Sequence, residues 1–354
     1  MTKEKVMELV KIKMGTSLFY YIYLFACVGV FLALYFGLRN KSDKFQRRVL
    51  LAILFFNFAL HFIKQVFPEY IHKDFPAILR KCTPENICAI STMIFPFVYM
   101  SNWKTGKDYM FYLGIISGVL GCIAPMPAFG LPFYSLEAIR CYICHASLWQ
   151  VPLLMVIFGH HKLDYRRIWK ALVMYFMVLC VIMVNELILI RLGWVDTKTL
   201  FTDEFNNGYF DASSRDMGYA VGLPEGGAIE TIGKYVLWMT PKAWKDPYIP
   251  ILWELFPVII YGGLGCMALC AYWEHKHMRD DFLLVVGKVK GIIAKWKSKK
   301  SDAPQEETQP AAEAVQNNEE VSPVEETLSE SEHVFSDTDV QTDEKPTKRK
   351  KSTK

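Results

Sequence analysis

The run Cys141-Tyr142-Ile143-Cys144-His145-Ala146-Ser147-Leu148-Trp149-Gln150-Val151-Pro152-Leu153-Leu154-Met155-Val156-Ile157-Phe158-Gly159 contains no Asp, Glu, Lys or Arg. A helix over such a stretch is long enough to cross the hydrocarbon of a bilayer, which takes about 20 apolar residues. One ionisable side chain, His145, lies inside it. An imidazole at that depth must pair, line a wet cavity or stay neutral, and residues of this kind mark functional sites in membrane proteins. The segment therefore sets two expectations: a bundle of membrane-spanning helices, and a chemical centre within it.

Working outward, six further stretches have the same character. Spans are expected at 17–38, 49–67, 87–102, 109–128, 139–159, 171–192 and 251–273. They predict an all-α polytopic transmembrane bundle of about seven helices over 1–275. The third span is short and carries Pro96, which predicts a kink or a partly re-entrant segment. The fourth ends at Pro125-Met126-Pro127, where a helix cannot continue cleanly.

Composition agrees. Of the 354 residues 52% are hydrophobic, and the mean hydropathy is positive although the last sixth of the chain is polar. Without that tail the remainder is too apolar for a soluble globular domain. The net charge of +4 says little, because the charges sit in blocks. The nine cysteines lie mostly in apolar runs and do not form a secreted disulfide framework. Cys27, Cys180, Cys266 and Cys270 read as small hydrophobes. The 17–38 stretch exceeds a signal-peptide core and lacks a small-residue cleavage site before Arg39, Lys41, Lys44, Arg47 and Arg48, so it reads as a retained span. Lys and Arg are richer in the loops that an outside N-terminus would leave in the cytoplasm. A multi-pass protein of the cell membrane, with its N-terminus outside and C-terminus cytoplasmic, is the expected topology.

The 193–250 loop is too long for a simple connection and predicts either a folded outer cap or a solvated spacer. Over 276–300, apolar Phe282, Val285, Val286, Val289, Ile292, Ile293 and Trp296 recur at helical spacing among Lys288, Lys290, Lys295 and Lys297. That is the pattern of a basic amphipathic helix on an anionic membrane surface. The 301–354 segment is rich in Glu, Ser, Thr, Pro and Gln, ends in a basic run, and cannot bury enough surface to fold. It predicts a disordered C-terminal tail.

Polar residues on the spans fall on helix faces. Asn57, His61, Lys64 and Gln65 share one; Glu137, Cys141, Cys144 and His145 share another, with Arg140 one step round. Asn185, Glu186 and Glu254 add to the set. Such stripes point into a bundle, where they serve either as functional groups or as interhelical hydrogen bonds. Cys-x-x-Cys-His is also a haem-attachment pattern, but it lies here inside a span, without an exposed loop. Zinc would need further ligands, for which Cys82 and Cys88 are the candidates. The last span has no Lys for a retinal Schiff base. Neither a cofactor, a metal nor a nucleic-acid partner is expected. Cys88, after Pro84-Glu85-Asn86-Ile87, stands at the head of a span. There the positive end of the helix dipole favours the thiolate, and a facing His would complete a nucleophile–base pair; a buried thiol that merely packs is the other reading.

Several segments together bear a resemblance. Residues 84–91 look like the Pro-Leu-His-Leu-Cys-Ser-Ile segment of the bacterial YwaF-type integral membrane proteins. Phe111-Tyr112-Leu113-Gly114-Ile115-Ile116-Ser117-Gly118, running to Ala124-Pro125, resembles their Gly-rich span ending in Thr-Pro. Leu131-Pro132-Phe133 and Tyr142-Ile143-Cys144-His145-Ala146 resemble their His-bearing fifth span. They are also similar to the Leu-Pro-Phe-Glu and Tyr-x-x-x-His segments of an animal transmembrane acyltransferase family that builds ether phospholipids. Asn86 and Cys88 match that family's Asn-Pro-Cys segment. The resemblance covers roughly 50–273 and implies an acyl-accepting nucleophile at Cys88, with a base or acid at His145.

The expected function is a membrane phospholipid acyltransferase or transacylase. Cys88 and His145 are its catalytic pair, and His61, Asn86, Glu137, Arg140, Asn57 and Glu186 orient the base or hold the lipid head group. Its expected partners are membrane phospholipid and, through 282–300, an anionic lipid surface; the sequence names no protein partner. A small-molecule transporter or substrate-binding membrane component would also explain a polar bundle core with broken spans. A scaffold recruiting partners through the tail stays open as well.

Overall fold

Polar side chains at the edges of the apolar runs decide where the helices begin. The computed structural model describes residues 10–67, 75–194, 237–245, 249 and 251–301. They form α1 (Leu18–Leu38), α2 (Asp43–Ile63), α3 (Phe75–Arg80), α4 (Ile87–Met100), α5 (Lys104–Ile123), α6 (Leu136–Ile157), α7 (Ile168–Arg191) and α8 (Gly263–Ser301), with short helical turns between them. Ser17, Asn86 and Ser135 cap α1, α4 and α6 by accepting the N–H groups of Tyr20, Ala89 and Ala138 at 3.3, 2.7 and 3.1 Å. Among the described residues there is no β-strand, only an isolated bridge between Lys11 and Pro132.

The fold is therefore the expected all-α bundle. Leu18–Leu38, Asp43–Val66, Leu136–Ile157, Tyr165–Arg191 and Leu252–Trp296 are each long and apolar enough to cross a membrane. The other two expected spans are helices of different kinds. α4 has only 14 residues, with Pro96 inside it. α5 begins earlier than the apolar run suggested, at Lys104, and buries the charged Lys107 and Asp108. Rows of large apolar side chains on α1 (Leu18, Phe25, Phe36) and α7 (Met177, Val184, Leu187) are exposed, as a bilayer-facing surface requires.

The closest packing joins α5 to α6, and its cause is local. Pro152 lacks the N–H that would bond the Leu148 carbonyl one turn back. That carbonyl instead approaches Gly114 so closely that a Cβ there would sit 2.5 Å from it. At Gly118 a Cβ would lie 2.7 Å from the His145 carbonyl and 2.8 Å from the Trp149 nitrogen. Small residues at this spacing let two membrane helices touch backbone to backbone.

The last span departs from a plain helix. It opens with a tight turn at Leu252–Glu254, passes through Leu255–Pro257, and winds as a π-helix over Val258–Gly262 before α8 starts. Pro257 and the Gly262-Gly263 pair are the usual causes of such irregularity. The helix expected at 276–300 is the continuation of α8, because no proline interrupts the chain and Gly287 and Gly291 have open space around them. Its Phe282, Val285, Val289, Ile292 and Ile293 are exposed. One compact unit takes in Met1–Ile293 and a second Ala294–Lys354. Most of the 193–250 loop and nearly all of the 301–354 tail lie outside the described residues, as do residues 1–9.

At the end of the bundle where α4 and α6 finish, buried polar groups tie the helices together. His160 takes the Tyr99 hydroxyl proton on Nδ1 at 2.9 Å and gives its Nε2 proton to Gln46 Oε1 at 3.1 Å, with Asp43 at 3.0 Å. Asp108 accepts from His161 at 2.7 Å and from Arg167 at 2.6 Å. These bonds join α2, α4 and α5 to the α6–α7 connection.

Candidate functional site

At the other end, where α4 and α6 begin, the chain passes from α3 through 81–86 into α4. Asn86 is the capping residue, so its side-chain oxygen is committed to the helix start. Cys88 follows in the first turn, half-buried, at the positive end of the helix dipole. It packs on the main core cluster and lies within electrostatic reach of Cys141 on α6.

His145 stands one turn after Cys141. Its Nδ1 is 2.8 Å from the Cys141 carbonyl oxygen and 3.5 Å from the Cys141 sulfur. A carbonyl only accepts, so the neutral ring carries its proton on Nδ1 and leaves Nε2 as a proton acceptor. The ring rests on Gly121 of α5, where a Cβ would overlap the imidazole. The absent side chain at Gly121 is what makes room for this histidine.

Beside these groups lies a buried charge cluster. Arg80 faces Glu186 at 3.3 Å and Glu85 at 3.7 Å, and Lys81 faces Glu85 at 3.6 Å. Glu137 accepts from Arg140 Nε at 2.7 Å and pairs with the same guanidinium a second time. A third Arg140 donor reaches Cys144 Sγ at 3.8 Å. Lys64 is buried among these charges, and His61 gives its Nε2 proton to the Cys82 carbonyl at 3.3 Å. Asn185 donates to Thr83 Oγ1 at 3.0 Å. Burial pushes the Cys82 thiol above its ordinary pKa, with the Lys64 charge opposing.

Within this cluster Arg80 Nε and Nη2, Glu85 Oε2 and both Glu186 carboxylate oxygens are buried without a hydrogen bond among the described residues. Buried charged atoms in proteins are normally hydrogen-bonded, so the cluster has capacity for a polar guest or water. Among the described residues Lys64, Arg80, Lys81 and Arg140 are gathered with Glu85, Glu137 and Glu186.

The sequence-derived residues divide accordingly. His61, Glu137, Arg140 and Glu186 belong to the cluster, with Cys88 and His145 at the same end of the bundle. Asn57 lies one helix turn deeper and is engaged with Ser147 Oγ at 2.6 Å and the Cys144 carbonyl at 3.4 Å, an interhelical tie. Glu254 accepts from the Tyr175 hydroxyl at 3.2 Å instead. Arg80 and Lys81 had no role in the sequence reading, and Cys82 entered it only as a candidate zinc ligand. The i,i+4 spacing of Lys81 and Glu85 was the available signal. Among the described residues no group of three or more His, Cys, Asp or Glu side chains is arranged to hold a metal ion.

Residues 13–208 match the model of a transmembrane protein family, described as the TMEM164 family. No curated protein and no solved structure matches the chain.

Proposed function

We propose that this chain, which belongs to the TMEM164 family, is a membrane phospholipid acyltransferase or transacylase with Cys88 as nucleophile and His145 as base. Two observations support the reading: Cys88 stands in the first turn of α4, and the Cys141 carbonyl holds the His145 ring so that Nε2 is left as the proton acceptor. The resemblance of 84–91 and 131–146 to the YwaF-type proteins and to the ether-phospholipid acyltransferases adds the reaction type.

His145 Nε2 takes the Cys88 thiol proton, and the sulfur attacks the ester carbonyl of a phospholipid. A carbon–sulfur bond forms, the ester carbon–oxygen bond breaks, and the proton passes to the departing lysophospholipid hydroxyl. The hydroxyl of a second lysophospholipid then attacks the thioester, gives its proton to His145, and releases the cysteine. The Arg80–Glu85–Glu186 cluster holds the phosphate of the head group, with Lys64 and Lys81 beside it. His61 and Glu137 fix the geometry of that cluster, Arg140 being oriented by Glu137.

The test is intact-protein mass spectrometry after incubation in phospholipid membranes. Wild-type protein should carry an acyl mass that base releases, and Cys88→Ala should abolish both that mass and acyl transfer. Undiminished acyl transfer by the Cys88→Ala protein rejects the mechanism.

A further inference from the structure

The end of the bundle remote from Cys88 contains a cavity of about 740 Å³, within the range of small-ligand sites. It is lined from α5, the α6–α7 connection and α8, with Lys104, Lys107, His161, Lys162, Arg166 and Asp281 among its walls. The acids of this region are already engaged. Asp281 accepts from Arg166 at 2.5 Å and from the Tyr165 hydroxyl. Asp164 pairs with Arg167 at 3.2 Å, Asp108 with His161 and Arg167, Glu274 with His277 at 2.8 Å, and Asp280 faces Arg279 at 3.4 Å.

The lysines are not engaged. Lys104, Lys107 and Lys162 have no hydrogen bond or ion pair through their ammonium groups among the described residues. Lys104 and Lys162 stand exposed at the rim. Lys107 is different, because it is only 8% exposed and its charged neighbour is another cation, Arg47. Its ammonium is not among the buried unpartnered atoms, so a largely buried stem carries a charge that still reaches solvent. Here the three unpaired ammonium groups line one cavity, and they come from the start of α5 and the α6–α7 connection.

We propose that this cavity binds a phosphate-bearing ligand, with Lys107 at its floor and Lys104 and Lys162 at its mouth. Three separate ammonium point charges suit the spread charge of a phosphomonoester dianion, for which lysine is a common partner. The paired Arg166 and Arg167 stiffen the wall and contribute field rather than contacts. Since the cavity opens at one end of the membrane bundle, the phosphate comes either from a lipid head group or from a soluble molecule. The site is independent of the Cys88 chemistry.

Full-length protein in phosphatidylcholine nanodiscs provides the test. One arm titrates inorganic phosphate against chloride at constant ionic strength and reads the thermal midpoint. The other replaces part of the lipid with phosphatidic acid and counts retained lipid by native mass spectrometry. Response in the first arm identifies a soluble source, and response in the second alone a head group; either supports the site. Lys107→Gln should weaken the response by about tenfold, the loss of one charge-assisted contact. Lys162→Gln, at an exposed position that folding tolerates, should weaken it in the same direction, and Lys288→Gln should leave it unchanged. The acyl mass on Cys88 should persist in all three variants. Absence of a response in both arms, or wild-type binding in folded Lys107→Gln and Lys162→Gln proteins, overturns the proposal.

Discussion

Gly121 leaves a gap on α5 that the His145 imidazole fills, and a single methyl group there is enough to test what the ring does. In Gly121→Ala the ring must swing away from the Cys141 carbonyl, but a histidine side chain can rotate without moving the backbone. Stability should change little, while acyl transfer falls by about a hundredfold, the order of loss seen when a reacting group is displaced by an ångström. Full activity with a normal thermal midpoint would remove His145 from the mechanism. His145 and Cys88 could be singled out from residue type and position alone. Gly121 could not, because its meaning depends on what a different helix places opposite it.

At the level of helices, α5 and α6 show how two breakers cooperate. Pro152 frees a carbonyl, and Gly114 and Gly118 let α6 come close enough to use the space. Gly118→Val places branched carbons against the backbone of His145 and Trp149, which cannot rotate out of the way. It should cost roughly 1–3 kcal/mol, seen as a lower midpoint in thermal unfolding of the detergent-solubilised protein. An unchanged midpoint would mean that the two helices are not in contact there. The Gly-rich span and Pro152 were both visible in the sequence, but not that they face each other. The same holds for the last span, where Pro257 is visible and the π-helical winding after it is not.

The whole bundle carries a polar cluster at each end, one beside Cys88 and one around His160. Burial and the Arg47 guanidinium hold the His160 pKa below its ordinary value. It is faced by Asp43, Gln46 and Arg47 from α2, Tyr99 from α4 and Lys107 from α5. A depressed histidine pKa means that the folded state resists the proton. Above the unfolded value of about 6.5 both states are neutral and stability is full. As the pH falls below that, the unfolded chain protonates first, and stability declines until the pH has passed through the folded value. The thermal midpoint of the wild type should therefore drop more steeply with acid than that of His160→Gln. Parallel curves would show that His160 does not titrate in this way.

Hydropathy alone established the membrane helices, since a run of some 20 apolar residues has few other stable fates. The sequence also placed Pro96 inside a short span and set Cys88 at a helix start, because prolines and capping residues act through their immediate neighbours. Two things depended on the tertiary structure. Arg80, Glu85 and Glu186 meet only when α7 packs against the segment before α4, across about a hundred residues of chain. Lys107 and Lys162 likewise share a cavity only because the start of α5 and the α6–α7 connection lie side by side. Charges on polar loops look solvated in a linear reading, and only the packing of distant segments shows which of them lose water and need a partner.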